Sequence, residues 1–327
     1  MRVAVVGVGA MGQNHARVYS EIAELVGVAD ADVETAKRTA KRFGGKAVAS
    51  VKDLLELKPE AVTIATPTES HLAVASELLD AGVHVLVEKP LAPTVAEAEK
   101  LDAKARATGL TLGVGHIERH NPVVKFAKDA MEKGSFGRLV TIVTRRVSSY
   151  PQRIKDVGVV FDLGTHDIDA ALHLAGQPVE SVAAAGGSFS TKKIEDHAGI
   201  LLRFRGGATA FIEVNWLTPF KVRRISLTCS EAYVELDYIS QQAEVSSSEF
   251  LDVDQSNLYQ VPQEHHVRKV SIQKEEPLKN ELLDFLDAIA KKRSPLVSGQ
   301  DGVRVLRVAE AAVESMSKKR FVEVDRG

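Results

Sequence analysis

One cysteine, Cys229, and one tryptophan, Trp216, stand in a chain of 327 residues. A lone thiol excludes an internal disulfide and any cysteine-built metal cluster. Long hydrophobic runs are missing, so no membrane-spanning segment is expected. Neither sign of charge dominates: 42 Lys and Arg against 44 Asp and Glu leave a formal charge of −2. That balance gives no basic footprint for nucleic acid or for an acidic membrane surface. Repeats, low-complexity tracts and coiled-coil heptads are absent too. The apolar run after Arg2 breaks at Gly7, which is not a secretory pattern. The expectation is a cytoplasmic protein long enough for two domains, each with its own core.

What is present begins at once. Val3-Ala4-Val5-Val6 reads as a buried strand, then come Gly7-Val8-Gly9-Ala10-Met11-Gly12 and a helix-competent run. A G-x-G-x-x-G between strand and helix is a dinucleotide fingerprint. Gly7 permits the sharp turn, Gly9 lets backbone approach a pyrophosphate, and Gly12 lets helix and strand pack closely. The amides of Ala10, Met11 and Gly12 at the helix N-terminus are offered to the phosphates. Asp30 ends the second strand, placed to accept hydrogen bonds from the adenosine ribose and to repel a 2′-phosphate. NAD is therefore favoured over NADP, with Lys37 and Arg38 nearby as the counter-indication. Asp30 could instead cap the helix over 33–43, but Asp32 fills that role at least as well.

Strands and helices then alternate to about residue 120. A strand over 61–64 runs into Ala65-Thr66-Pro67-Thr68, where Thr66 and Pro67 could line a nucleotide groove or simply form a turn. His71 falls in the first turn of the next helix, near the cofactor or on the surface. The run Val83-His84-Val85-Leu86-Val87 is a buried parallel strand that stops at Glu88-Lys89-Pro90. Ligands of open α/β sheets bind outside the carboxyl ends of strands, so Lys89 stands where a ligand is expected. After Asn121-Pro122 the pattern changes to alternating segments over 139–147, 198–204, 209–216, 223–229 and 232–238, read as an antiparallel sheet. Residues 240–270 do not resolve into elements. Such a sheet leaves one face to cover, which points to self-association.

The second dense stretch is Phe161-Asp162-Leu163-Gly164-Thr165-His166-Asp167-Ile168-Asp169. It reads as a helix capped near Thr165 and ended by Gly176. Asp162 and His166, four apart, fit proton transfer by an imidazole that a carboxylate orients. Asp162, His166 and Asp169, or His116 and His120, are a competing metal reading. No dedicated metal motif is formed, so no metal is expected.

Gly7-x-Gly9-x-x-Gly12, Glu88-Lys89-Pro90 and Asp162-x-x-x-His166, in this order, resemble the glucose–fructose oxidoreductase/inositol dehydrogenase (Gfo/Idh/MocA) family over essentially the whole chain. The resemblance extends to Ser298-Gly299-Gln300-Asp301-Gly302 before the last helix. It implies an α/β protein: a Rossmann domain at 1–120, then an α/β domain at 121–327 on a large, mostly antiparallel open sheet, assembled as dimers or tetramers. It also implies that Lys89, Asp162 and His166 face substrate and nicotinamide, with Glu88 beside the cofactor. Val114-Gly115-His116-Ile117-Glu118-Arg119-His120-Asn121-Pro122 resembles more narrowly the segment of UDP-N-acetylglucosamine 3-dehydrogenases, where a phenylalanine commonly stands at the position of His120. On that resemblance His116, Arg119 and Asn121, with Arg145, Arg146 or Arg153, are candidates for holding a diphosphate or sugar hydroxyls. Any single arginine among them reads more readily as a solvated surface charge.

The expected activity is NAD-dependent oxidation of a sugar secondary alcohol, most specifically C3 of UDP-N-acetylglucosamine. The alternatives are inositol, a free sugar or a UDP-hexuronic acid as substrate, a non-catalytic NAD-binding regulator, and a metal-dependent lyase with bound NAD.

Overall fold

The structure is a computed structural model that describes residues 1–151, 157–190, 194–250 and 263–324. The first half builds β1 (Arg2–Val6), α1 (Ala10–Ile22), β2 (Glu24–Ala29), α2 (Val33–Phe43), β3 (Lys46–Val48), α3 (Val51–Leu55), β4 (Ala61–Ile64), α4 (His71–Asp80), β5 (His84–Glu88), α5 (Val95–Thr108) and β6 (Leu112–Gly115). The six strands form one parallel sheet in the order β3-β2-β1-β4-β5-β6. This is the Rossmann arrangement, with its change of direction between β1 and β4. Every residue of β4 is buried, as are the three central residues of β5. Both faces are covered, which is why these strands read as continuous apolar runs. Helix α2 begins where the Asp32 carboxylate accepts the Glu34 and Thr35 amides.

The second half continues with α6 (Pro122–Glu132), β7 (Leu139–Ser149), α7 (Thr165–Ala175), β8 (Val179–Gly187), β9 (His197–Phe204), β10 (Thr209–Asn215), β11 (Leu217–Cys229), β12 (Tyr233–Asp237), β13 (Gln242–Phe250), β14 (Gln263–Val270), α8 (Pro277–Lys291), α9 (Gly299–Lys318) and β15 (Val322–Glu323). Nine strands form a second sheet, β14-β13-β12-β11-β7-β10-β9-β8-β15. Only β7 and β10 pair in parallel; the remaining neighbours are antiparallel. Buried and outward residues alternate along β9 and β10, the pattern of a sheet packed on one face. Helix α7 packs against β7 and β10, and α6 against β12.

Two compact units result: Met1–His120 with Glu275–Arg307, and Asn121–Lys274 with Val308–Gly327. Residues 275–307 therefore pack with the first unit, whereas the sequence reading assigned everything from 121 onward to the second. The cause is apolar. Leu278, Leu282 and Phe285 of α8 bury in the same core as Val5, Tyr19 and Leu86. A bridge between Gly113 and Ser298 adds an antiparallel contact beside β6. Among the described residues no helix is long and apolar enough to cross a membrane.

Candidate active site

In the first unit the fingerprint glycines form a turn that tolerates no side chain at two positions. Gly7 has φ +82°, and a Cβ there would lie 2.7 Å from the backbone of Ala65 and Thr66. A methyl on Gly12 would collide with the Gly7 carbonyl oxygen. Gly9 differs: a Cβ would meet nothing within 4 Å, so its backbone borders open space. Gly9 is also the N-cap of α1, where no side chain caps the helix and no acidic residue occupies the first turn. The amides of Ala10, Met11 and Gly12 thus begin a helix whose N-terminus carries no side-chain cap and no first-turn carboxylate. Asp30 closes the turn from the other side. One carboxylate oxygen accepts the Val8 N–H at 2.8 Å and the other the Asp32 N–H at 2.9 Å. Each oxygen keeps a second lone pair for a hydroxyl. The open backbone at Gly9, the uncapped helix and the anchored carboxylate fit a dinucleotide.

At the carboxyl ends of β4 and β5 the side chains lock together. Ser70 Oγ donates to Thr66 Oγ1 at 2.7 Å and reaches the Pro67 carbonyl at 2.8 Å. His71 is 1% exposed, neither on the surface nor open to a ligand. Its Nε2 lies 3.0 Å from the Thr66 carbonyl and its Nδ1 3.0 Å from the Pro90 carbonyl. Burial pushes this imidazole below its ordinary pKa in spite of the two carbonyls. The neutral ring has one N–H, so one of the two contacts carries the proton. Sequence reasoning offered His71 to the cofactor; its ring instead ties two loops of the cleft.

Glu88 has a partner that sequence reasoning missed. His15, fully buried on α1, places Nε2 2.8 Å from Glu88 Oε1. The other carboxylate oxygen accepts the Lys89 N–H at 3.2 Å. Burial alone would raise the Glu88 carboxyl, but the His15 hydrogen bond and the charges of His15 and Lys89 hold it below the ordinary range. Gly115 makes the room: a Cβ there would stand 3.0 Å from Glu88 Oε2. The one signal for His15 was its spacing, on the buried face shared by Gly12, Ala16 and Tyr19. The peptide joining Lys89 to Pro90 is cis.

The segment after β6 turns inward. His116, Arg119 and His120 are buried, along a short 3-10 turn over Ile117–His120. Arg119 donates to the Leu296 carbonyl at 3.2 Å and stands 3.3 Å from Asp301. Burial would raise the Asp301 carboxyl, yet Arg119 and hydrogen bonds from Ser298 keep it low.

In the second unit, Asn121 caps α6 by accepting the Val123 N–H, and its amide donates to the Tyr238 carbonyl at 3.3 Å. Arg146, 2% exposed, binds Asp167 through Nε at 2.8 Å, and its guanidinium lies 5.3 Å from the centre of the Tyr238 ring. Arg119, Asn121 and Arg146 are the residues expected to hold a substrate diphosphate or hydroxyls, and each also has an internal structural partner. Arg145 alternates to the opposite face and pairs with Glu213 at 3.0 Å. Arg153 lies outside the described residues.

Asp162 and His166 sit half-buried on one continuous helical run. The chain is already helical in a π-type turn over Val160–Gly164 before α7 begins. Thr165 is therefore not the cap that its position suggested. Its hydroxyl donates back to the Phe161 carbonyl at 2.9 Å, because its own amide is no longer at a helix end. Gly176 does close α7, in the left-handed conformation. Among the described residues no three His, Cys, Asp or Glu side chains group as a metal site would require.

A glycine-turn nucleotide cradle after β1 with a lysine at the carboxyl end of β5, followed by a nine-stranded open-sheet unit, fits a dinucleotide-dependent oxidoreductase. Residues 1–116 match the oxidoreductase family with an NAD-binding Rossmann fold, and residues 124–235 match the GFO/IDH/MocA C-terminal domain. The UDP-N-acetylglucosamine 3-dehydrogenase of Acidithiobacillus ferrooxidans is 32% identical, across 98% of this chain and 99% of that one. The myo-inositol 2-dehydrogenase of Thermotoga maritima is 27% identical across 99% of both. A solved structure of the Acidithiobacillus enzyme superposes with a TM-score of 0.88 at 30% identity, covering 97% of this chain and 98% of that one. A levoglucosan dehydrogenase bound to NADH and levoglucosan shares the fold, with a TM-score of 0.88 at 23% identity over the full length of both chains. The chain belongs to the Gfo/Idh/MocA family and is a dehydrogenase.

Proposed function

We propose that the protein oxidises a secondary hydroxyl of a sugar, and that this hydroxyl is at C3 of UDP-N-acetylglucosamine. The observation that carries the reading is the end-to-end likeness to the Acidithiobacillus UDP-N-acetylglucosamine 3-dehydrogenase at 32% identity. The inositol dehydrogenases, at 27–29% over similar lengths, support the second reading, a cyclitol substrate.

The amides of Gly9, Ala10, Met11 and Gly12 would hold the pyrophosphate, and Asp30 the adenosine ribose. Thr66, Pro67 and Glu88 would line the rest of the cleft. NAD is preferred over NADP because the Asp30 carboxylate repels a 2′-phosphate. Lys37 and Arg38, the cations that could offset it, are engaged with Glu34 and Thr35. When bound, the dinucleotide supplies the acceptor for the hydride that leaves carbon. His166 takes the hydroxyl proton, and Asp162 orients its ring or the sugar. Lys89 stabilises the substrate oxygen as negative charge develops, an effect of about 2–4 kcal/mol for a preorganised donor.

The open face of the nine-stranded sheet supports assembly into dimers or tetramers. Val143 and Phe211 are 43% and 48% exposed there, beside a hollow of about 900 Å³. Incubation with NAD or NADP and a panel of UDP-sugars, free sugars and cyclitols, followed by NADH or NADPH absorbance, tests the substrate reading. Reduction of NAD with UDP-N-acetylglucosamine is expected. Reduction only with inositol would replace the nucleotide-sugar reading, and silence across the panel would favour a regulator.

A further inference from the structure

We propose that His15 and His71 are positioning residues for Lys89, each gripping the residue on one side of it. The inference rests on the reading of Lys89 as catalytic. Lysine carries its ammonium on a four-carbon stem with many rotamers, so placement of the charge depends on how firmly the backbone beneath it is held. In this chain the backbone on both sides is held by an imidazole. On the upstream side, His15 reaches from α1 to the Glu88 carboxylate at 2.8 Å, and the same carboxylate accepts the Lys89 N–H at 3.2 Å. The helix that starts at the glycine turn is thereby linked, through one carboxylate, to the lysine's own peptide. On the downstream side, the His71 ring stands between the Pro90 carbonyl, 3.0 Å from Nδ1, and the Thr66 carbonyl at the end of β4, 3.0 Å from Nε2. Glu88 and Pro90 are thus pinned to two different elements, α1 and the β4 loop, with Lys89 between them.

Packing alone does not ask for these residues. His15 is 0% exposed and His71 1% exposed, positions that an apolar side chain fills without desolvating an imidazole. Among the described residues the buried His15 Nδ1 has no hydrogen-bond partner, a cost that leucine would avoid. What leucine cannot supply is a donor to Glu88. Misplacing a reacting group by about 1 Å can cost roughly a hundredfold in rate, so a grip on both neighbours of Lys89 has a reason that core stability lacks.

The test uses the full chain with His15→Leu, His71→Leu and the amide variants His15→Gln and His71→Asn. Each is read by kcat, sugar KM, NADH dissociation constant and thermal midpoint, alone and on a Lys89→Ala background. The leucine variants should bind NADH within about threefold of the parent and keep sugar KM. Their kcat, per NADH-binding site, should fall about ten- to a hundredfold. His15→Gln, which still donates to Glu88, should recover most of that loss. On the Lys89→Ala background neither leucine change should lower the remaining rate further. An unchanged kcat per binding site, or an equal loss without Lys89, would overturn the inference. Should a leucine variant fail to fold, the amide variants decide: His71→Asn should keep NADH binding and lose part of kcat, and full kcat in both would overturn it. Turnover that survives Lys89→Ala alone would instead remove the catalytic reading on which this one rests.

Discussion

The two sheets use the same polymer in opposite ways. The six-stranded sheet is parallel and buried on both faces, so β4 and the middle of β5 offer no side chain to solvent. Chemistry can leave such a sheet only at its ends, and Glu88-Lys89-Pro90 is where β5 ends. The nine-stranded sheet is buried on one face only. Its β10 alternates Ile212 inward with Phe211 and Glu213 outward, so it has a whole face to offer a partner. Its proposed acid/base residues stand on the helical run that precedes Gly176, not on a strand. One sheet meets solvent at its strand ends and the other over a face.

Four experiments sharpen that contrast, from the largest expected effect down. Arg146 and Asp167 form a fully buried ion pair beneath the nine-stranded sheet. Asp167→Ala should therefore cost about 3–5 kcal/mol of unfolding free energy in denaturant titrations, because it takes the carboxylate partner from a buried guanidinium. Replacing both members with apolar residues should recover most of the loss. Next, a valine cut to alanine should register differently in the two sheets. Val85→Ala, at a position with no exposure, should cost about 2 kcal/mol, whereas Val143→Ala on the open face should stay within about 0.5 kcal/mol.

A pH titration separates the units by a smaller amount. The buried His71 and the partly buried His84 have folded pKa values below 6.5. The unfolded chain then binds more protons than the folded one just below that pH. Their contribution is complete above pH 6.5 and is lost as pH falls toward the lowered folded values. Glu88 and Asp301, both lowered, extend the loss in the same direction through the carboxylate range. The thermal midpoint should decline from pH 7 toward pH 5, and His71→Leu should flatten the upper part of the decline. A midpoint that rose on acidification would contradict the burial of these groups. Smallest for the folded chain itself is Phe211→Asp, with a stability change within about 0.5 kcal/mol. Its effect should appear in sedimentation velocity as a smaller assembly, and an unchanged sedimentation coefficient would argue against the sheet face as the contact.

Legibility in the sequence divides along the same line. The first sheet could be read because its strands are apolar runs and its helices carry local stop and start signals. The helix over 33–43 and its Asp32 cap were readable together, since one side chain answers two amides two and three residues away. Strand β8 was not readable: Ala183-Ala184-Ala185 followed by Gly186-Gly187 has little strand preference, and its conformation comes from pairing with β9 and β15. Residues 240–270 hid β13 and β14, whose strand pairing with each other is a contact between separated segments; residues 251–262 are outside the described set.

Of the candidate site, the glycines, Asp30 and the strand end at Lys89 were visible because each depends on local geometry. His15, the internal duties of Arg119 and Arg146, and the packing of α8 with the first unit were not. They depend on contacts between residues distant in sequence: 73 positions separate His15 from Glu88, and 21 separate Arg146 from Asp167.

Lys89→Ala tests the central claim most directly. Measured in parallel, NADH binding and turnover of the substrate found in the panel should separate. The dissociation constant should stay within a few-fold of the parent, while kcat falls by at least about a hundredfold. Turnover within tenfold of the parent, with cofactor binding intact, would contradict the placement of the chemistry at the carboxyl end of β5.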